Sequence, residues 1–194
     1  REELDRLAAA SPPAPPTPER TKLDLARSER LYNAGRHADA RKSFDALRAF
    51  VGGDERQMVD LRLAQCDYHL KRYQPAHDAL REYVDNSKNR LQEAQFFLLN
   101  TVRQLGRKDE YVTLVRAFVD GNPGHQFAEA ALNELGTFYI LENDDAKAAE
   151  VFAEMYRRFP QGVYADRAAW KAGWWAYKNG NYGETVRVFE AAGV

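Results

Sequence analysis

From about Lys22 onward, apolar residues recur three or four positions apart between charged and polar ones, the spacing of one face of a helix. Glycine, asparagine or aspartate interrupts this pattern every 15–20 residues or so. No stretch alternates in the manner of a half-buried strand. The pattern predicts short helices near residues 22–34, 38–51, 54–70, 74–86, 90–105, 108–120, 125–142, 145–159, 163–179 and 182–191. Capping-box pairs stand at three of the starts: Asp54 with Gln57, Asn89 with Gln92, and Asn181 with Glu184. Gly35, Gly52, Gly106, Gly121 and Gly180 stand where helices are expected to stop.

The helices also repeat in pairs. The apolar residue in the middle of every second helix is Phe44, Leu80, Val115, Phe152 and Phe189, at spacings of 36, 35, 37 and 37. Four positions before each lie Ala40, Ala76, Tyr111, Ala148 and Thr185. The period and the small-then-large spacing resemble the tetratricopeptide (TPR) pattern, with two or three extra residues per unit. The fourth unit is the cleanest, with Leu135-Gly136, Tyr139, Ala148, Phe152 and Pro160 in the motif's order. Small residues at Gly136, Gly173, Ala40 and Ala148 would let paired helices approach, and the phenylalanines would fill the wedge. The resemblance implies an all-α fold, a right-handed superhelix of about five helix-turn-helix repeats. Their expected limits are 22–53, 54–88, 89–123, 124–161 and 162–194, within a domain 21–194. Before it, five of the eight prolines crowd into "SPPAPPTP" at 11–18, so residues 1–20 read as a stiff linker or arm.

Composition narrows the function. With 28 basic against 29 acidic residues, the chain has no bulk charge for nucleic acid. No apolar run approaches the length of a membrane span. The single cysteine, Cys66, permits no intrachain disulfide. Cys66 and His69 lie three apart with His77 beyond, but no second pair completes a zinc set, so no metal and no cofactor is expected. The acidic run Glu142, Asp144, Asp145, Glu150 falls at a turn and a helix start, where carboxylates cap and complement the dipole. No nucleophile elbow, zincin motif, P-loop or dinucleotide fingerprint occurs, so no catalytic residue is assigned.

What remains is the surface that first helices present. One face of each offers Tyr32; Gln65, Tyr68 and His69; Asn100 and Arg103; Asn133 and Thr137; then Arg167, Trp170, Trp174, Tyr177 and Lys178. This lining is rich in amides and rings, and suits a peptide or a sugar. All three tryptophans of the chain fall in the last helix pair, with Trp170, Trp174 and Tyr177 on one face and Trp175 turned about 100° away.

Residues 158–192 resemble the helical-repeat superhelix of soluble lytic murein transglycosylases. The residues that carry the likeness are Pro160, Ala168, Ala169, Trp170, Gly173, Trp174, Tyr177, Gly180, Tyr182 and Phe189. That resemblance implies a periplasmic scaffold that positions a peptidoglycan strand, with catalysis by a downstream lysozyme-like domain in cis. The Glu-Ser pair and the Gly-Leu-Met-Gln stretch of that catalytic domain do not occur in this sequence, so no catalytic role carries over. The other expectation is a free-standing TPR adapter of the cell envelope that binds a partner's peptide. An enzyme site within these residues is the weakest reading.

Overall fold

The computed structural model describes residues 16–192. Residues 1–15, most of the expected N-terminal arm, lie outside the described residues. Among the described residues there are ten α-helices and no strand. They are α1 Pro18–Asn33, α2 His37–Leu47, α3 Gly53–His69, α4 Tyr73–Asn86, α5 Leu91–Gln104, α6 Lys108–Gly121, α7 Gln126–Leu141, α8 Asp145–Arg158, α9 Ala165–Lys178 and α10 Tyr182–Ala192. A short 3₁₀ turn, Arg48–Phe50, follows α2. The all-α, TPR-like architecture expected from the hydrophobic pattern is present.

Helix α1 starts inside the proline-rich run, four residues before the periodicity suggests. Pro18 takes the first helical position, where a missing N–H costs nothing, and the Thr17 hydroxyl accepts from the Arg20 N–H at 3.3 Å. The capping boxes fare unevenly. Asn181 Oδ1 accepts from the Glu184 N–H at 3.3 Å. Asp54 does not cap, because α3 begins earlier at Gly53 with Gly52 before it. Gln57 instead accepts a bond from the Ser87 hydroxyl at 2.7 Å. Asn89 is displaced by Arg90, which takes the cap position in a left-handed conformation and pairs with Glu93 at 2.7 Å.

The turn inside each repeat is the same device written five times. Gly35, Lys71, Gly106, Asn143 and Gly180, spaced by 36, 35, 37 and 37 residues, all have φ between +59° and +75°. The N–H of each bonds back to a carbonyl near the end of the first helix, and the next N–H reaches one residue further back. Gly35 bonds to Tyr32 and Arg36 to Leu31, and the other four turns follow suit. This is the Schellman termination, which satisfies carbonyls that the helix end would otherwise leave bare. Of the other glycines expected as stops, Gly121 is the last residue of α6, while Gly52 precedes α3 instead of ending a helix.

The chain divides into two compact units, Arg1–Asn89 and Arg90–Val194. In the first, α1 packs on α2, α2 on α3 and α3 on α4. Leu25, Ala40, Phe44, Leu47, Val59 and Cys66 form its core, with Leu31, Tyr32, Met58 and Leu63 against it. In the second, α5 through α10 pack each on the next. The small residues do what their spacing predicts. A Cβ on Gly136 would stand 2.7 Å from the Phe152 ring, and one on Gly173 would stand 2.5 Å from the Phe189 ring. The rings of the second helices lie directly on the backbones of the first.

Candidate functional site

The first-helix candidates fall into sets that differ in what occupies them. In the unit Arg1–Asn89, the ring of Tyr32 on α1 meets His37 at 5.3 Å and His69 at 5.9 Å, edge on. His37 and His69 stack flat, 4.1 Å apart and 9° from parallel. Tyr68 closes the group against His69 at 5.4 Å. Arg62 sits over the Tyr32 ring at 4.5 Å, holds both carboxylate oxygens of Glu29 at 2.8 and 3.1 Å, and donates to Gln65 at 2.7 Å. Gln65 itself is fully buried, so its amide serves this cluster from inside. Burial lowers the pKa of both histidines, and for His69 the neighbouring His37 adds to the effect. The pair is therefore held neutral. Burial also pushes the Cys66 thiol up to about 12, which makes it an inert core side chain.

In the unit Arg90–Val194, the amide candidates are likewise engaged. Arg167 on α9 donates to Asn133 Oδ1 at 2.6 Å and to the Thr137 hydroxyl at 3.0 Å, both on α7. Arg103 on α5 pairs with Glu134 on α7 at 2.7 Å, and Phe96 stacks on Phe127 at 5.1 Å. Asn100 is buried and donates to the Phe96 carbonyl at 3.1 Å. Arg167, Arg103 and the Phe96–Phe127 stack join one first helix to the next, while the Asn100 bond stays within α5.

The last first helix is different. Trp170 and Trp174 lie 5.8 Å apart with rings 5° from parallel, Tyr177 follows at 5.8 Å, and Tyr182 of α10 meets Tyr177 at 5.7 Å. All four are about half exposed, at 48, 49, 52 and 63%. The opposite side of α9 is packed through Ala165, Ala168, Ala169, Ala172, Gly173 and Ala176. Trp175, as its rotation predicts, turns to α8, where it helps line a pocket of about 140 Å³ with Ile140, Ala148, Phe152 and Trp174. Lys178 stands 5.6 Å over Trp175 and 3.6 Å from Asp145.

Four contributors were missing from the sequence reading. His37 and Arg62 complete the first cluster. Tyr182 extends the ring run; its place two residues beyond Gly180, at the start of α10, was the available signal. Glu129 is buried and accepts the Tyr164 N–H at 2.7 Å, at the start of α9, thirty-five residues away. Gly162 is where it is because a Cβ there would meet that carboxylate at 2.1 Å. Among the described residues no group of three metal-ligating side chains forms, and no helix is long and apolar enough to cross a membrane.

Comparison with solved structures decides the fold. The chain superposes on the C-terminal part of a TPR repeat-containing protein from Cytophaga hutchinsonii, with TM-score 0.65 and 16% identity over 87% of this chain and 63% of that one. The fold is TPR-like. A TPR protein of Thermus thermophilus matches at TM-score 0.59 and 15% identity, over 89% of each chain. A Rap protein, solved in complex with Competence and Sporulation Factor, matches at TM-score 0.60 and 13% identity, over 89% of this chain and 52% of that one. At these identities the likeness is one of fold. No family model and no curated protein matches the chain.

Proposed function

We propose that this chain is a protein-interaction scaffold, a TPR-like array that holds a partner polypeptide on the exposed ring run of its fifth repeat. The observation that carries this is the row Trp170, Trp174, Tyr177 and Tyr182, half exposed on a helix whose other side is packed. Large rings are costly to leave in water and are effective anchors, since they bring much contact area with little side-chain entropy to lose. The reading calls for no catalytic residue. Because every tryptophan of the chain lies at 170, 174 or 175, fluorescence excited selectively at tryptophan reports on this helix alone. Titration with a peptide library should give a saturable emission shift, weakened at least about tenfold in Trp170→Ala and Trp174→Ala. Binding that both variants leave unchanged would remove the reading.

A second reading, the murein-strand scaffold of a periplasmic lytic transglycosylase, is favoured by the 158–192 resemblance and by the two parallel indoles, since sugar rings stack on such faces. In that reading a separate catalytic domain of the parent protein cleaves the strand. The same fluorescence titration separates the two. Saturable quenching by soluble glycan strands, with no response to peptides, would favour murein; the reverse would exclude it.

A further inference from the structure

We propose that the cleft between α2 and α4 takes an arginine side chain of a partner polypeptide, with the guanidinium group between Asp45 and Glu82. The site is separate from the ring run of α9 and does not rest on the scaffold reading.

The cleft lies wholly within the unit Arg1–Asn89. Its walls are α2 and α4, and its floor is α3. It holds about 320 Å³, inside the range of about 300–1,000 Å³ for small-ligand pockets. Its charges fall into two sets. Arg41 donates to Asp67 at 2.7 Å and Arg48 to Asp60 at 2.6 Å, so each arginine of the cleft is held by a carboxylate of the floor. Asp45 and Glu82 stand one on each wall. Among the described residues neither carboxylate has a hydrogen bond or ion pair, although Asp45 acts on Arg41 through space.

The unit Arg90–Val194 shows what these positions do elsewhere in the array. Phe44 corresponds to Val115 and Leu80 to Phe152, so Asp45 corresponds to Arg116, Glu82 to Glu154 and Asn86 to Arg158. There the Arg116 guanidinium of α6 bonds the Glu154 carboxylate of α8, and Arg158 pairs with the same carboxylate at 3.0 Å. Glu82 repeats the acceptor without either donor: an aspartate stands in place of Arg116 and an amide in place of Arg158. Between α8 and α10 the two wall positions are Ala153 and Ala191, which line a cleft of about 390 Å³. Consecutive second helices therefore need no charge at either position, and packing does not call for the two carboxylates of the first cleft.

A guanidinium entering that cleft supplies the missing donor and meets a second carboxylate besides. Its planar fork offers N–H groups to both, whereas a lysine presents a point charge without the fork. The aliphatic stem has Leu63, Ala64 and Ala79 to lie on. Asp45 and Glu82 are both exposed, so a side chain reaches them from outside while its own backbone stays in solvent.

Nuclear magnetic resonance titration of the isotope-labelled chain with a capped Gly-Arg-Gly peptide tests this. One ion-paired side chain gives affinity on the order of millimolar, so the titration runs to about 20 mM. Backbone amides of α2, α3 and α4 around the cleft should shift saturably. The lysine peptide should bind at least about fivefold more weakly. The citrulline peptide, with the shape but not the charge, should not bind. Glu82→Gln should weaken arginine binding at least about fivefold. Asp45→Arg should abolish it by supplying the bridge from inside, as Arg116 does in the other unit, with helix content unchanged by circular dichroism. The absence of saturable shifts around the cleft overturns the proposal, as does equal binding of the lysine peptide or unchanged binding by the Asp45→Arg chain. Free arginine that binds more tightly than the peptide also overturns it, since the ligand is then a small molecule. Every tryptophan lies on α9, so the fluorescence titration of the ring run does not register this cleft, and either reading can fail alone.

Discussion

Replacing Gly136 by alanine isolates the contact that sets the distance between paired helices. The added Cβ would stand 2.7, 2.9 and 3.0 Å from three atoms of the Phe152 ring. That ring is 1% exposed, and the space beside it is limited to the pocket of about 140 Å³ that it shares with Trp175. Overpacking of this kind costs about 1–3 kcal/mol. Against it, alanine is better than glycine inside a helix by about 1 kcal/mol. Gly121→Ala separates the two effects, because Gly121 ends α6 with no neighbouring atom within 4 Å of its would-be Cβ. That variant keeps much of the helix gain and has no clash, so Gly136→Ala should be less stable than Gly121→Ala by about 1–3 kcal/mol. In a chain of this size that is roughly 2–4 °C of Tm for each kcal/mol, read by thermal and urea unfolding followed by circular dichroism. Phe152→Leu should cost stability in the parent but less in the Gly136→Ala background, since the smaller side chain yields the space. If Gly136→Ala is as stable as Gly121→Ala, the close approach does not constrain the fold and the reasoning fails.

The stacked His37–His69 pair makes stability depend on pH in a stated direction. Both imidazoles have lowered values in the folded chain, while the unfolded chain titrates them near 6.5. Above that pH both states are neutral and stability is complete. As pH falls below it, the unfolded chain takes up protons that the folded chain refuses, so Tm should fall until the lowered values are passed. A Tm profile from pH 8 to 5 checks this, and His69→Gln should flatten it relative to the parent. Lys71 occupies the left-handed turn position that glycine takes in three of the five repeats, at φ +60° and on the surface. Lys71→Gly should therefore raise stability by up to about 1 kcal/mol by urea unfolding, and an unchanged or lower midpoint would count against strain at that turn.

How far the sequence carried depended on the range of the interaction. Helix limits, the five paired units and the two glycines under Phe152 and Phe189 were legible, because each follows from a pattern within one repeat or from repetition of that pattern. The capping pairs were less secure. Asp54 and Asn89 have the residue types for caps, but the backbone enters α3 at Gly53 and α5 through a left-handed Arg90. Cap chemistry is read one residue at a time, while the entry of the chain into a helix is set by what the helix packs on.

The candidate surface divides along the same line. Periodicity put Tyr32, Gln65, Asn100, Asn133, Thr137 and Trp174 on one face of their helices, and that much belongs to the sequence. Whether such a face meets water or the next helix does not, since both choices have the same period. Only the tertiary structure decided it, by bringing Arg62 to Glu29 and Tyr32, Arg167 to Asn133 and Thr137, and Glu129 to the start of α9 across thirty or more residues. A charge or amide gains a partner only when two helices dock, so local patterning determined the helices and their pairing, while docking determined which polar face was consumed within the fold and left the rings of α9 open.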